Sequence, residues 1–315
     1  MPRAGQICLP MILPALAALL AVAGCSRTDS QARARADVAP SLQYIGAWGA
    51  HGVGPGQLDK PACIATDGLG NAYIADAGSQ FVHKFGTRGT PLLSFQETFL
   101  ENPDSIAVDD GGAIYVADSV RGTVWIFLPS GQSYRSLRLP RHAGAENPLS
   151  VAVGDDGVID VLDTGADKVF TYTPRLRFLR SWQPAAAAPG PAGWPAAIAA
   201  ASDGYLYALD PPANRILRFD SDRRLVSVID AGAGGMGRQL SGEFSVSGGF
   251  IFAMDSNGHT LHAWTTDGTP KFDSDLTPQL GPGERPALPL AAGPRGELLV
   301  LDGPDSRVLS YRFRP

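Results

Sequence analysis

The chain has little cysteine and no basic run. Its three cysteines are Cys8, Cys25 and Cys63. The first two lie before the repeating region, so Cys63 is left as a lone thiol with no intrachain partner. That excludes a disulfide framework and predicts a small buried hydrophobe. The formal charge of −5 is mildly acidic, and without a basic patch nucleic-acid binding is disfavoured. The sequence also lacks a nucleophile elbow, a phosphate-cradling glycine loop and a paired-histidine motif. No sequence motif names a catalytic residue, a cofactor or a metal set.

What is present begins with a leader. Arg3 is the only charge in residues 1–24, and an apolar stretch runs from Ile7 to Ala23. A short charged start, an apolar core and small residues before the cut predict a secretory signal. Loss of Arg3 with it takes the formal charge from −5 to −6. The Cys in Val22-Ala23-Gly24-Cys25 makes this segment resemble a bacterial lipoprotein box. That resemblance implies acylation of Cys25 and membrane anchoring without a spanning helix. Ser26 after the Cys resembles lipoproteins sent to an outer membrane. Residues 25–40 read as a lipidated Cys followed by a polar, disordered tether.

The rest of the chain repeats. Six times a Gly is followed after six residues by an Asp, and after nine more by an aromatic. The Asps are Asp76, Asp118, Asp163, Asp210, Asp255 and Asp302, spaced 42, 45, 47, 45 and 47 residues apart. Each closes a short apolar run such as AYIAD or IYVAD, which reads as a strand buried on both faces. A second strand leads to the aromatic. A third run starts at Pro61, Pro103, Pro148 or Pro195, each 15 residues before its Asp, and Pro286 is displaced by one. Pro suits the first residue of a strand, where no ladder bond is lost. A fourth run closes each unit except the last, which stops after its third strand.

Four short antiparallel strands in roughly 45 residues make one propeller blade, and blades must stack to bury their faces. The sequence therefore predicts an all-β fold over residues 41–315. This is a six-bladed β-propeller of four-stranded antiparallel blades, closed by the N-terminal strand (Leu42 to Trp48) completing the last blade. Blade 5 is the least regular, since its QLSGEFSVSGG segment lacks the Pro.

The pattern D-x-x-x-x-[RK]-[VI]-x-x-[FY], behind a P-x-x-[IV]-A strand and a Gly turn, resembles the NHL-repeat six-bladed propellers. Lys168, Arg215 and Arg307 hold the family's basic position, and Phe81, Thr123 and Thr260 depart from it. Enzymes that resemble this fold, the peptidyl-hydroxyglycine lyases, place zinc-binding His directly after the strand-starting Pro. Here those positions hold Ala62, Asp104, Leu149 and Ala196, which argues against that chemistry. Lactonase-type propellers set a Glu at an inner strand start among Asn and Asp ligands. Glu146-Asn147, Glu101-Asn102 and Asp104 come nearest to that pattern here.

The six repeat Asps recur at one place in every blade, which assigns them to turn-holding rather than chemistry. Lys168, Arg215 and Arg307 are expected to pair with such carboxylates or to cover a neighbouring aromatic. His83 and His262 fall within third strands. His51, His142 and His259 fall on loops of one face, without the convergent three ligands a metal needs. Unlike residues on variable loops between blades mark the candidate binding face: His51, Glu97, Arg141, His142, Glu146, Trp194, Arg238, Glu284 and Arg285. The sequence thus favours a membrane-anchored, non-enzymatic scaffold at the cell envelope, most readily the outer membrane. It would recognise an envelope protein, peptide or glycan through its loop-rich face, with no cofactor. The alternative is a metal-dependent lactonase- or hydrolase-like propeller.

Overall fold

A computed structural model describes residues 40–139, 148–190, 193–232, 239–282, 285–286 and 288–315, with backbone alone at 148 and 149. Six four-stranded antiparallel sheets form the molecule. The innermost strands are Pro61–Thr66, Pro103–Val108, Pro148–Val153, Ala197–Ala200, Leu240–Ser247 and Leu290–Ala292. Each neighbours the next in chain order, and the sixth meets the first, so the sheets close into a six-bladed ring. The innermost strands of blades 4 and 6 start later than their prolines implied, at Ala197 and Leu290.

The second strands, which end at the repeat Asps, are buried along their whole length in blades 1 to 4. They run through the middle of each sheet with a neighbouring blade on either face, which is why they read as unbroken apolar runs. The last blade takes three strands from the C-terminal end of the chain and its fourth from Ser41–Trp48. This bears out the predicted closure. Ser41 pairs with Arg314 and Trp48 with Val308. Trp48 donates its indole N–H to Ser310 at 2.8 Å and packs on Phe85 of blade 1, 4.9 Å between ring centres. One residue therefore fastens the closing strand to its own blade and to the next.

Blades also meet at their outer hairpins. Gly89 in the hairpin of blade 1 has φ +77°, and a Cβ there would lie 2.3 Å from Trp48 of the closing strand. Gly131 of blade 2 stands in the same relation to Phe95, at 2.4 Å. Glycine serves twice here, supplying the left-handed turn and the room for the preceding blade's aromatic. In blade 4 the position is Arg223, with φ +62°. Its side chain reaches back into blade 3 and binds the buried Asp160 carboxylate through Nη2 and, at 3.3 Å, through Nε. Thr171 donates to the same carboxylate at 2.6 Å, and Trp182 donates in turn to Thr171 at 3.2 Å.

This arrangement predicts the cost of making blade 4 resemble blades 1 and 2. Arg223→Gly would relieve backbone strain of about 1 kcal/mol but orphan Asp160, and it should destabilise by about 3 kcal/mol on balance. Adding Asp160→Ala should recover most of that loss. Urea denaturation of the two variants is the measurement, and an unchanged midpoint for Arg223→Gly alone would remove the pair from any role in holding blades 3 and 4 together.

Candidate functional site

The repeat Asps sit at the ends of the second strands, on the face where the chain passes from blade to blade. Asp76 accepts backbone N–H bonds from Asp59 (2.7 Å), Lys60 (3.0 Å), Gly78 (2.9 Å) and Ser79 (3.0 Å). Asp118 accepts from Glu101 at 2.8 Å and Arg121 at 3.1 Å, and Asp210 from Trp194 at 3.0 Å. Asp163 accepts from Ala166, and Asp255 from His259 and Thr260, each at 3.0 Å. Asp302 instead binds two guanidinium groups, those of Arg285 and Arg307. Arg215 likewise closes on Asp210 at 2.9 Å. In blades 1, 2 and 4 the Asp thus grips both its own turn and the incoming loop.

Inside this rim the innermost strands line a channel of about 590 Å³. Each innermost strand is laddered on one side only, and its other edge faces the channel or the next blade. Ser hydroxyls answer some of these free amides. Ser105 accepts from Val151 N at 3.2 Å, Ser150 from Ile198 N at 3.1 Å, and Ser245 from Ala292 N at 3.0 Å. Small residues such as Ala65, Ala107, Ala152 and Ala199 form much of the wall and leave the bore open. The far mouth opens among Asp67, Asp110 and Asp155.

At the loop-bearing mouth the register slips. Between Pro61 and Cys63, Pro103 and Ser105, and Pro148 and Ser150, the innermost strand carries one residue more than its partner. A bulge of this kind re-aims a side chain, and here it brings Ala62 and Asp104 to the channel. Blade 5 has a wider slip, with Ser241, Gly242 and Glu243 between the paired Leu240 and Phe244. Phe244 pairs two residues before the repeat Asp, as Ile106 does in blade 2. Glu243 therefore holds the place that Ser105 holds in blade 2. In a ring of six, blades 2 and 5 are opposite, so Asp104 and Glu243 face each other across the mouth.

The two carboxyls are held differently. Asp104 is fixed by Asn102 Nδ2 at 2.9 Å and Ser119 N at 3.0 Å. Burial pushes its pKa up, and those hydrogen bonds oppose the shift. Among the described residues no group donates to the Glu243 carboxyl, and the residue, half-buried, lines the channel. Burial first, and then the charge of Asp104, push its pKa up to about 7. Cys63 lies in the same wall, buried as expected, and burial followed by the Glu243 and Asp104 charges pushes its thiol up.

The loop residues singled out from sequence are dispersed. His51 is exposed and meets Ser306 Oγ at 3.2 Å, while His259 turns to its own hairpin at Asn257 O, 2.7 Å. Trp194 is 58% exposed. Glu97 is half-buried, and burial raises its pKa. Arg285 faces inward, bound to Asp302, Asp305 and the Leu280 carbonyl. Arg141, His142, Glu146, Arg238 and Glu284 lie outside the described residues, as does Cys25. His83 is fully buried against Ser94 Oγ at 2.8 Å, and burial lowers its pKa to about 4. Among the described residues no group of three His, Cys, Asp or Glu is placed to hold a metal ion. Glu101 pairs with Arg121 on the rim. Glu243 was not found from sequence. Its only signal was the irregularity of QLSGEFSVSGG itself, an over-long innermost strand with an acid after a Gly.

The family model of the NHL repeat matches residues 100–127, which run from the loop before blade 2 through its third strand. The chain is thus a six-bladed propeller carrying an NHL repeat. No curated protein matches it in sequence. Among solved structures it resembles a catalytically inactive virginiamycin B lyase from Staphylococcus aureus with quinupristin. That match has 12% identity and a TM-score of 0.58, over 81% of this chain and 83% of that one. A streptogramin B lyase structure matches at 15% identity and TM-score 0.57, over 88% and 87%. Selenomethionine virginiamycin B lyase from Staphylococcus aureus matches at 13% and 0.57, over 88% of each chain. At these identities the likeness is one of fold.

The Glu243 carboxyl has a stability signature. Its folded pKa of about 7 lies above the ordinary 4.5. Its contribution is therefore fully present below pH 4.5 and lost as pH rises through 7. Glu243→Gln should leave stability unchanged at pH 4.5 and raise it by about 2–3 kcal/mol at pH 8. His83 acts in the opposite sense, costing stability as pH falls from 6.5 towards 4, so the variant must be compared with the native chain at each pH. Chemical denaturation at both pH values is the check. An equal effect at both would mean that the carboxyl stays ionised in the fold.

Proposed function

We propose that this chain is a binding propeller that takes a small ligand, such as the end of an envelope peptide or a glycan fragment, into the loop-bearing mouth of its central channel. The observation that carries this reading is Glu243. Its carboxyl belongs to a half-buried residue and lacks any described donor, at the edge of a channel of about 590 Å³. A carboxylate with no donor of its own has its acceptor sites free for a ligand, and a cavity of this size suits a small molecule. The Asp104 carboxyl, held rigidly opposite, offers the ligand a second fixed contact. The exposed Trp194, Val53 and Val120 stand on loops and turns of the same face and would meet whatever carries the ligand. In this reading acylated Cys25 tethers the propeller to a membrane of the cell envelope, most readily the outer membrane.

One observation favours a catalytic version. A carboxyl whose pKa lies near 7 is suited to accept a proton and return it near neutrality. Glu243 would then be the acid–base group, with Asp104 orienting the substrate, in a hydrolase- or lyase-like propeller.

Affinity selection of envelope extract on the full chain in detergent, read by mass spectrometry, separates the two. Native chain should retain a ligand that Ala62→Trp, which fills the mouth, does not retain at equal stability. Recovery of that ligand unchanged supports binding, and recovery of a converted product supports catalysis. Equal retention by both chains would move the site away from the channel.

A further inference from the structure

Resting on the channel-mouth reading, we propose that the ligand presents a primary ammonium group between Asp104 and Glu243, with an apolar body attached to it. Two acids that face each other from opposite blades create a negative field that a neutral donor would leave uncompensated. An ammonium carries three N–H donors and a full charge, so it can bridge both carboxyls at once and supply the donor Glu243 lacks. No described cation already does so. Lys60 is exposed and lines the neighbouring recess, and Asp104 is the one charge that acts on Glu243. The channel wall adds no charged donor, because the innermost strands of blades 4 and 6 are Ala197–Ala200 and Leu290–Ala292 and the polar side chains of the other blades there are neutral or acidic.

The apolar body has its own place. A second hollow of about 570 Å³ opens beside the mouth between blades 6 and 1, and Glu243 borders both cavities. Its wall includes Pro61, Pro286, Leu288, Pro289 and Pro304. A rigid, proline-rich surface buries an aliphatic or aromatic group with little loss of side-chain freedom. An amine at one end and an apolar group a few bonds away would therefore span the two cavities, as the amino end of a peptide with an apolar first residue does.

The ammonium would place its charge beside the carboxyl whose pKa burial and the Asp104 charge push up to about 7. Titratable groups facing Glu243 are Asp104 across the channel and the Cys63 thiol, with Asp59 and Lys60 around the recess. Asp255 and Asp210, near its blade, are occupied by turn amides and by Arg215. Binding an ammonium should thus expel the proton from Glu243.

The test uses the full chain in detergent and three matched probes: phenethylamine, 2-phenylethanol and phenylacetate. Isothermal titration is run at pH 6, 7 and 8 in buffers of differing ionisation enthalpy. Phenethylamine should bind, and the other two should bind at least tenfold more weakly. Its affinity should fall about tenfold from pH 8 to pH 6, with about half a proton released per ligand at pH 7. Glu243→Gln should lower its affinity at least tenfold and abolish the proton release. Asp104→Asn, a second shape-conserving change, should also weaken binding. Equal binding of all three probes, or phenethylamine binding indifferent to both substitutions, overturns the proposal. If phenylacetate or the alcohol binds best and Ala62→Trp abolishes it, the ammonium fails while the channel site stands. If no probe binds, the ammonium proposal falls, and the channel reading is judged by its own affinity selection.

Discussion

The grip of the repeat Asp on backbone amides organises this molecule. An antiparallel blade has strong ladders within it, but nothing in the ladder fixes where the chain must leave one blade and begin the next. Asp76, Asp118 and Asp210 answer that by binding the amides of the loop that arrives from the preceding blade. A buried carboxylate that accepts such N–H bonds makes strong charge-assisted contacts, and it fixes two segments with one side chain. The consequence appears at the channel. Ala62 and Asp104 follow such loops closely, so the positions of these mouth residues are set by a clamp outside the channel.

Blade-to-blade cohesion is uneven around the ring. Blades 6 and 1 meet through the closing strand, where Trp48 lies on both Phe85 and the hairpin of Gly89. Blades 3 and 4 meet through a buried ion pair in place of an aromatic over glycine. Among the innermost strands, hydroxyl-to-amide bonds join blade 2 to 3, 3 to 4 and 5 to 6. Blade 5 presents a carboxyl where blades 2 and 3 present a hydroxyl. A device that elsewhere satisfies a neighbour's amide is there left facing open space, which is the physical origin of the candidate site.

The fold was legible because its signals are local and repeated. Period, Gly turn, terminal Asp and aromatic recur in each blade, and the closing strand was visible as a fourth-strand sequence stranded at the other end of the chain. Strand starts were less legible. Pro195 and Pro286 precede the strands they were expected to open, since a proline can end a loop as readily as begin a ladder. The site was largely hidden. Asp104 and Glu243 belong to different repeats, and only closure of a six-membered ring sets them opposite. The slip that turns Glu243 inward is a matter of register, which an irregular segment such as QLSGEFSVSGG conceals. Loop residues picked for their chemistry proved partly committed elsewhere, Arg285 to Asp302 above all.

The closing strand also links the two faces of the ring. It enters the ring at Ser41, opposite Arg314, and reaches Trp48 only at the end where the last blade begins its third strand. The loop-bearing face lies at that second end. The described chain therefore enters the ring on the face opposite the channel mouth. One strand thus seals the ring and carries the chain from one face of it to the other.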